Sequence, residues 1–319
     1  MALLSVSDLT TSYGSGHGVV RAVDGVSLHI DAGETVGLVG ESGCGKSSLG
    51  KSILRLIEPA SGRITFDGAE LRDLSGRQLR AHRRRLQMVF QDPFASLNPR
   101  HTVGDILATP LKVHGLGRRD ERRRRVAEML DRVGLPPAAA ARYPHEFSGG
   151  QRQRLGIARA LILRPELVIC DEPVSALDLS IQAQILNLIA GFKRELNLSL
   201  LFISHDLSVV RYFADRVLVM YLGRIVEAGS HRQLWDRPRH PYTRALMDAV
   251  PDPARRRYAA PLHGDPGTQE QRDGCRFHPR CPLATELCAR VTPPLRKAEA
   301  GHTVACHHAE AGSAPLIIS

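Results

Sequence analysis

The sequence predicts an α/β fold in which a largely parallel sheet lies between layers of helices. Short apolar segments, each typical of a buried strand, alternate with longer segments whose apolar residues recur at helical spacing. The apolar strands are predicted at residues 34–40, 86–90, 167–170 and 200–204. Residues 216–229 are predicted to form a hairpin that turns at Leu222 and Gly223.

Composition and charge narrow the class of protein. The 319 residues include 43 Lys and Arg against 33 Asp and Glu, for a net charge of +10, and 43% are hydrophobic, enough for a sizeable core. A basic surface suits nucleic acid, an anionic membrane face or a phosphate ligand, but an aromatic content of only 5% argues against a base-stacking surface. The sequence contains no long apolar run and no signal peptide, which predicts a cytoplasmic protein without a membrane span.

The clearest chemical signal is a glycine-rich segment between a predicted strand and a predicted helix. Residues 40–47 read GESGCGKS, the pattern of a phosphate-binding loop, in which backbone N–H groups turn inward onto phosphate oxygens. Lys46 is expected to reach the β- and γ-phosphates, and the Ser47 hydroxyl to ligate Mg²⁺. The nucleotide-binding residues predicted in and beside this loop are Gly40, Ser42, Gly43, Cys44, Gly45, Lys46, Ser47 and Ser48.

Two adjacent carboxylates end another apolar strand. Asp171 and Glu172 directly follow the apolar residues 167–170, an arrangement that is costly unless a cation or a reacting group meets the acids. Asp171 is predicted to meet the Mg²⁺ of a bound nucleotide. Glu172 is predicted to orient or deprotonate the attacking water. The sequence therefore indicates nucleotide hydrolysis.

Further motifs resemble those of the ATP-binding-cassette (ABC) ATPases. Residues 147–161 read FSGGQRQRLGIARAL, similar to the signature motif of that family, and residues 175–178 read SALD, similar to its D-loop. The resemblance implies that Gln91 senses Mg²⁺ and water, that His205 contacts the γ-phosphate and that Tyr13 stacks on adenine. A packed surface tyrosine is the alternative for Tyr13.

The resemblance also implies a fold, a set of roles and a dimer. The fold is that of a P-loop NTPase, with a RecA-like core, an antiparallel β subdomain, a helical signature subdomain at about 95–165 and a small Cys-rich C-terminal tail. The implied catalytic residues are Glu172, His205 and Gln91. The implied Mg²⁺ ligands are Ser47, Gln91 and Asp171. The signature residues, implied to act on the ATP of a partner cassette, are Ser148, Gly149, Gly150 and Gln151. The D-loop residues are Ser175, Ala176, Leu177 and Asp178.

Longer segments, among them MVFQDPFASLNPR and HPYTRAL, resemble the ATPase subunits of oligopeptide and dipeptide importers, in particular the second of two paralogous subunits. This implies ATP-driven peptide import at the cytoplasmic face of the membrane. The implied partners are a paralogous ATPase subunit, two membrane permease subunits and an extracytoplasmic solute-binding protein, with no nucleic acid. Another cargo, such as nickel, and a soluble non-transport ABC ATPase are the alternatives.

A C-terminal region at 236–319 is predicted to follow an ATPase domain at 1–235. It contains four of the six cysteines, Cys275, Cys281, Cys288 and Cys306. Four thiols in a small cytosolic segment with few apolar residues suggest a metal that stabilises the segment. The resemblance implies a [4Fe–4S] cluster here, and zinc and free thiols are the alternatives.

Overall fold

The computed structural model describes residues 2–14, 18–249 and 273–309. The chain divides into two compact units. The first unit comprises Ile30–Glu34 and Asp73–Ile203, and the second comprises Ala2–His29, Thr35–Arg72 and the chain from Ser204 onward. Parts of the predicted C-terminal region, residues 250–272 and 310–319, lie outside the described residues.

In the second unit, a buried strand leads into the phosphate-binding loop. Strand β3 (Thr35–Val39) is buried at every residue and pairs in parallel with β9 (Arg216–Tyr221). Strand β9 turns into β10 (Arg224–Ser230), with which it pairs antiparallel, so the predicted hairpin is confirmed. Helix α1 (Lys46–Ile53) follows the loop. The loop therefore joins the carboxyl end of a buried parallel strand to a helix, as the sequence predicts.

A second sheet of this unit is the antiparallel part that the resemblance implies. Its strands are β1 (Ala2–Tyr13), β2 (Val20–Asp31), β4 (Ser61–Phe66) and β5 (Ala69–Glu70). Their order in the sheet is β2-β1-β4-β5, and β1 pairs antiparallel with β4. Most of β2 alternates between buried and exposed residues, as expected for a strand with one face on a core and one face toward water.

The first unit contains three parallel strands surrounded by helices. Strand β7 (Leu167–Asp171) pairs in parallel with β6 (Leu86–Val89) and with β8 (Ser199–Ser204). Both β7 and β8 are buried throughout, which is why they appear in the sequence as continuous apolar runs. The helices are α2 (Gly76–Arg85), α3 (Pro93–Ser96), α4 (Val103–Val113), α5 (Arg119–Arg132), α6 (Gly149–Leu161) and α7 (Leu179–Leu196).

The C-terminal region adds strands to the sheet of the second unit. Strand β12 (His302–Val304) pairs antiparallel with β10, and β11 (Arg296–Glu299) pairs with β12. Strands this short contain no periodic pattern, so the sequence alone did not predict them. The remaining elements are α8 (Leu207–Phe213), α9 (His231–Asp236), α10 (Pro241–Asp248) and α11 (Glu286–Arg290).

A fully buried carboxylate attaches this region to β10. Glu227 accepts hydrogen bonds from the backbone N–H groups of Arg239 (2.7 Å) and His240 (2.9 Å). Its Oε1 also lies 2.7 Å from Nε2 of His302, which is fully buried on β12. A buried carboxylate is costly unless it is satisfied in this way, so the strand, the connection to α10 and β12 depend on one another.

The two residues of the turn between β9 and β10 have an unusual backbone conformation. Leu222 (φ +42°) and Gly223 (φ +86°) both have left-handed conformations, as a two-residue type I′ hairpin turn requires. A Cβ atom on Gly223 would lie 3.0 Å from the carbonyl oxygen of Ala22. Glycine is therefore needed at this position for its conformation and for its size.

We expect Gly223→Ala to lower the free energy of unfolding by about 1–2 kcal/mol, because an L side chain is strained in the left-handed region. Gly191→Ala, in helix α7, is the matched control. A Cβ there would meet nothing within 4 Å, and alanine favours a helix interior over glycine by about 0.5–1 kcal/mol. The effects are compared by the urea-unfolding midpoints of the two variants. Equal midpoints would contradict a requirement for glycine at residue 223.

Candidate active site

The phosphate-binding loop surrounds a buried cation. Lys46 is 4% exposed, and its Nζ donates hydrogen bonds to the carbonyl oxygens of Gly40 (2.7 Å) and Glu41 (2.9 Å). Helix α1 begins at Lys46, so the positive end of its dipole coincides with this ammonium group. Together they favour an anion at the loop.

The loop is in close contact with neighbouring backbone in the same unit. Gly45 has φ +107°, and a Cβ atom on it would lie 2.0 Å from the carbonyl oxygen of Ala22 on β2. The backbone N–H of Gly223 donates to the carbonyl oxygen of Cys44 at 2.8 Å. Strand β2 and the β9–β10 turn therefore determine the shape of the loop, and residue 45 must be glycine.

Tyr13, at the end of β1, is held by its hydroxyl group. The hydroxyl donates to Oγ of Ser48 in the first turn of α1 at 3.0 Å, while the residue remains 43% exposed. A buried pair, Thr11 Oγ1 and Ser52 Oγ at 2.8 Å, joins β1 to α1 further along. This arrangement fixes an aromatic ring beside the phosphate-binding loop and leaves part of it open to a planar ligand.

The first unit brings Gln91 and Glu172 together. The Gln91 side-chain amide donates to Oε2 of Glu172 at 3.0 Å, and the backbone N–H of Glu172 donates to the carbonyl oxygen of Ile203 at 3.0 Å. Asp171, at the end of β7, is 2% exposed. Glu172 has φ +42°, a strained conformation for a residue with a side chain, and such strain is concentrated at functional sites.

The first D-loop residue, Ser175, is hydrogen-bonded to the backbone of Glu172. Ser175 donates to the carbonyl oxygen of Glu172 from its backbone N–H (3.3 Å) and from its hydroxyl (3.2 Å). The N–H of Leu177 donates to the carbonyl oxygen of Val174 at 3.2 Å, and Asp178 is the N-cap residue of α7. This turn therefore connects the acidic end of β7 to the start of a long helix.

The signature residues form the start of α6. Ser148 is the N-cap: its Oγ accepts from the backbone N–H of Gln151 (3.4 Å), and Oε1 of Gln151 accepts from the N–H of Ser148 (3.0 Å). This reciprocal pair is a capping box, and it leaves Gly149 and Gly150 in the first helical turn. Helix α6 therefore begins at Gly149, and small residues form the positive end of its dipole.

His205 lies in the short connection between β8 and α8. Oγ of Ser204 accepts from the N–H of Asp206 at 2.9 Å, and the Asp206 carboxylate accepts from the N–H of Ser208 at 2.8 Å, capping α8. The His205 side chain is exposed. Its role at a γ-phosphate stays a prediction.

One contact near Gln91 was missed by the sequence reasoning. The Arg152 guanidinium of the signature helix lies 3.8 Å from the ring centroid of Phe94, which is 61% exposed in the segment after Gln91. Such a cation–π contact is favourable and orients both groups. Both residue types are visible in the sequence, but no local spacing pairs two positions so far apart.

None of the four C-terminal cysteines forms a disulfide bond. Burial raises the pKa of Cys275 and Cys306, and raises that of Cys281 to about 11; the other thiols, as neighbouring negative charges, add to each shift. Among the described residues, however, no three His, Cys, Asp or Glu side chains form a group that could hold a metal ion. The structure therefore does not show the implied cluster.

Two family models match the chain. The model described as ABC transporter matches residues 23–175, and the model described as Oligopeptide/dipeptide transporter, C-terminal region, matches residues 226–288. The chain is 53% identical over 296 residues to the Oligopeptide transport ATP-binding protein AppF of Bacillus subtilis, with 91% of this chain and 90% of AppF covered. The chain belongs to the ABC transporter family.

A second relative and a solved structure agree with this assignment. This ABC protein is 48% identical over 319 residues to the Di/tripeptide transport ATP-binding protein DppF of Pseudomonas aeruginosa, with 97% of this chain and 98% of DppF covered. The dimeric ATP-binding cassette MJ0796, solved in a post-hydrolysis state with ADP and Pi, has a TM-score of 0.66 at 31% identity and covers 72% of this chain and 99% of its own. The ABC ATPase fold is thereby confirmed. In the part of the chain that the structure describes, no helix is long and apolar enough to cross a bilayer.

We expect Gly45→Ala to weaken binding of ATP by this ABC protein about a hundredfold, because the new methyl group would overlap the Ala22 carbonyl oxygen and force the loop open. Gly43→Ala is the matched control: Gly43 also has a positive φ, but a Cβ there would meet nothing within 4 Å. Titration calorimetry with ATP compares the two. Similar affinities would show that the close approach at Gly45 does not shape the loop.

Proposed function

We propose that this chain is the ATP-hydrolysing subunit that powers import of di- or oligopeptides through a separate membrane permease. The observation that carries the proposal is the extent of the similarity. The MJ0796 cassette covers 72% of the chain, whereas AppF and DppF, named for oligopeptide and di/tripeptide transport, cover 91% and 97%. The residues beyond the common cassette are thus shared with peptide-transport relatives, and they include a matched C-terminal region.

The local geometry of the second unit supports nucleotide binding. The ring of Tyr13 stacks on the adenine, and the phosphate-binding loop with Lys46 holds the phosphates. The hydroxyl of Ser47 offers one oxygen ligand for Mg²⁺, a cation that prefers such donors and keeps several of its waters. When bound, Mg²⁺ neutralises charge on the phosphate oxygens. His205 contacts the γ-phosphate.

The first unit supplies the hydrolytic groups. Glu172 orients the attacking water and accepts its proton, and its carboxylate is held in place for this by the amide of Gln91. Asp171 and Gln91 would offer oxygen ligands to Mg²⁺. The products are ADP and phosphate. Lys46 offsets the negative charge that develops on the transferring phosphoryl group.

A dimer completes the reaction. The start of α6, capped by Ser148, presents backbone N–H groups and the helix dipole to an anion, which we assign as the γ-phosphate held by a partner cassette. The D-loop, residues 175–178, faces the same partner. The partner is a paralogous ATPase subunit, and the pair works at the cytoplasmic face of the membrane with two permease subunits and a solute-binding protein that delivers the peptide.

We further propose that the four C-terminal cysteines hold a [4Fe–4S] cluster, with Zn²⁺ as the alternative. The chemistry of the donor set fits: all four thiols are free, and the charge on one affects the pKa of others. Cysteine thiolates are the usual ligands of both groups. Bound metal would stabilise a region that contains little apolar core of its own.

We expect Glu172→Gln to bind ATP with near-normal affinity but to hydrolyse it roughly a hundredfold or more slowly, because the amide cannot accept the proton of the attacking water. Phosphate release and equilibrium ATP binding are measured on the same preparation. Glu195→Gln, a change on the exposed side of α7 where Glu195 pairs with Arg132, is the control and should hydrolyse ATP normally. Near-normal turnover by Glu172→Gln would refute the catalytic assignment.

The transport role is tested by purifying the tagged chain from membranes. We expect two permease subunits and a second ATPase subunit to co-purify, and the reconstituted complex to hydrolyse ATP faster when peptide-loaded binding protein is present. Stimulation by a nickel-loaded binding protein, and not by a peptide-loaded one, would identify nickel instead of peptide as the cargo. Recovery of the chain with none of these partners would contradict a role in transport.

The metal proposal is tested by elemental analysis of protein purified without oxygen. We expect about four iron atoms per chain, a brown colour, and loss of most of the metal in Cys281→Ser. Cys170→Ala, at a buried cysteine of strand β7, is the control and should keep its metal. One zinc and no iron would support the alternative, and absence of both metals would leave free thiols.

A further inference from the structure

Glu41, the second residue of the phosphate-binding loop, is held by side chains of the C-terminal region. Arg280 donates two parallel hydrogen bonds to its carboxylate, Nη1 to Oε2 at 2.8 Å and Nη2 to Oε1 at 3.0 Å. The hydroxyl oxygen of Tyr242, on α10, accepts the backbone N–H of Glu41 at 2.9 Å. The backbone carbonyl of the same residue accepts from Lys46.

These contacts differ from an ordinary surface ion pair. Exposed pairs contribute little because water competes for both charges. Here the Arg280 side chain is 6% exposed and that of Glu41 is 23% exposed, and the guanidinium makes a bidentate contact, which fixes orientation as well as distance. Tyr242 is fully buried, and burial raises the pKa of its hydroxyl, which therefore stays neutral.

A packed aromatic cluster keeps Arg280 and Tyr242 in place. The rings of Tyr242 and Phe277 are 5.4 Å apart, and Tyr221 lies 4.6 Å from Tyr242 and 5.3 Å from Phe277, in tilted and edge-on arrangements that aromatic pairs favour. Phe277 is 1% exposed and lies three residues before Arg280. Packing of these rings therefore restricts the movement of the side chains that contact Glu41.

A second set of hydrogen bonds connects the C-terminal region to the phosphate-binding loop through the β9–β10 turn. Arg276 donates to the carbonyl oxygen of Leu222 and to the carboxylate of Asp24. The same turn supplies the Gly223 N–H that donates to the carbonyl oxygen of Cys44. Burial acts to raise the pKa of Asp24, but the hydrogen bond and charge of Arg224, with the charge of Arg276, outweigh it and lower that pKa.

We propose that Arg280 and Tyr242 are positioning residues for the phosphate-binding loop, so that the affinity of this ATPase for nucleotide depends on its C-terminal region. Within the loop, the Lys46 ammonium donates hydrogen bonds to the carbonyl oxygens of Gly40 and Glu41. A shift of Glu41 therefore moves the anchors of the ammonium group that meets the phosphates. Arg280 and Tyr242 contact the loop and not the nucleotide, so they act through Glu41.

The experiment measures dissociation constants for MgATP by calorimetry on the full-length chain, with the urea-unfolding midpoint of each variant alongside. We expect Arg280→Met and Tyr242→Phe to weaken MgATP binding about tenfold and severalfold, the size of a typical coupling between connected sites. Tyr242→Phe keeps the aromatic packing and removes only the oxygen. Arg280→Lys should recover part of the affinity, because it keeps the charge but loses the paired geometry.

Two controls separate positioning from folding. Arg290→Met changes an exposed arginine of the same region that pairs with the exposed Glu286, and it should bind MgATP normally. Glu41→Gln should weaken binding by itself but add little to Arg280→Met, since both remove the same contact. Normal affinity in Arg280→Met and Tyr242→Phe, or losses that add fully in the double variant, would overturn the inference. Failure of the unaltered chain to bind MgATP would instead refute the proposed function.

Discussion

The structure depends first on a buried ammonium group inside a ring of backbone. Lys46 is almost inaccessible to water, yet its charge is satisfied by two carbonyl oxygens of its own loop. A buried charge without such partners would be strongly unfavourable. The loop can close around it only because Gly45 adopts a backbone conformation, and lies at a distance from Ala22, that no side chain permits.

Glu172 is likewise fixed by hydrogen bonds to its backbone and its side chain. Its backbone is in the left-handed region, its N–H is bonded to β8, and its carbonyl oxygen receives two hydrogen bonds from Ser175. The carboxylate is then oriented by Gln91. A catalytic base gains from being held in one orientation before substrate arrives, because no reorganisation is then needed during the reaction. The D-loop thus supports the residue that we propose as catalytic, as well as linking it to α7.

The C-terminal region is structurally part of the unit that contains the phosphate-binding loop. Strand β12 extends its sheet, Glu227 and His302 form a buried pair, and Arg280 reaches Glu41. A segment with so few apolar residues gains stability mainly from such contacts and, by our proposal, from a metal at its cysteines. The guanidinium of Arg280, in that segment, contacts the phosphate-binding loop directly at Glu41.

The sequence by itself determined the elements that local patterns encode. The phosphate-binding loop, the acidic end of β7 and the hairpin at Gly223 were all predicted from contiguous residues, because turn conformation and burial periodicity act over short distances along the chain. Family resemblance supplied roles for residues such as His205 that no local pattern assigns.

Only the tertiary structure decided which distant groups meet. Gln91 and Glu172 are 81 positions apart, and Glu41 and Arg280 are 239 apart. Strand β12 is too short to be recognised before it pairs with β10. Partner choice over such separations follows from how the strands and helices pack, which no spacing along the chain records; an arginine and a glutamate in the sequence are two surface charges until folding buries them against each other.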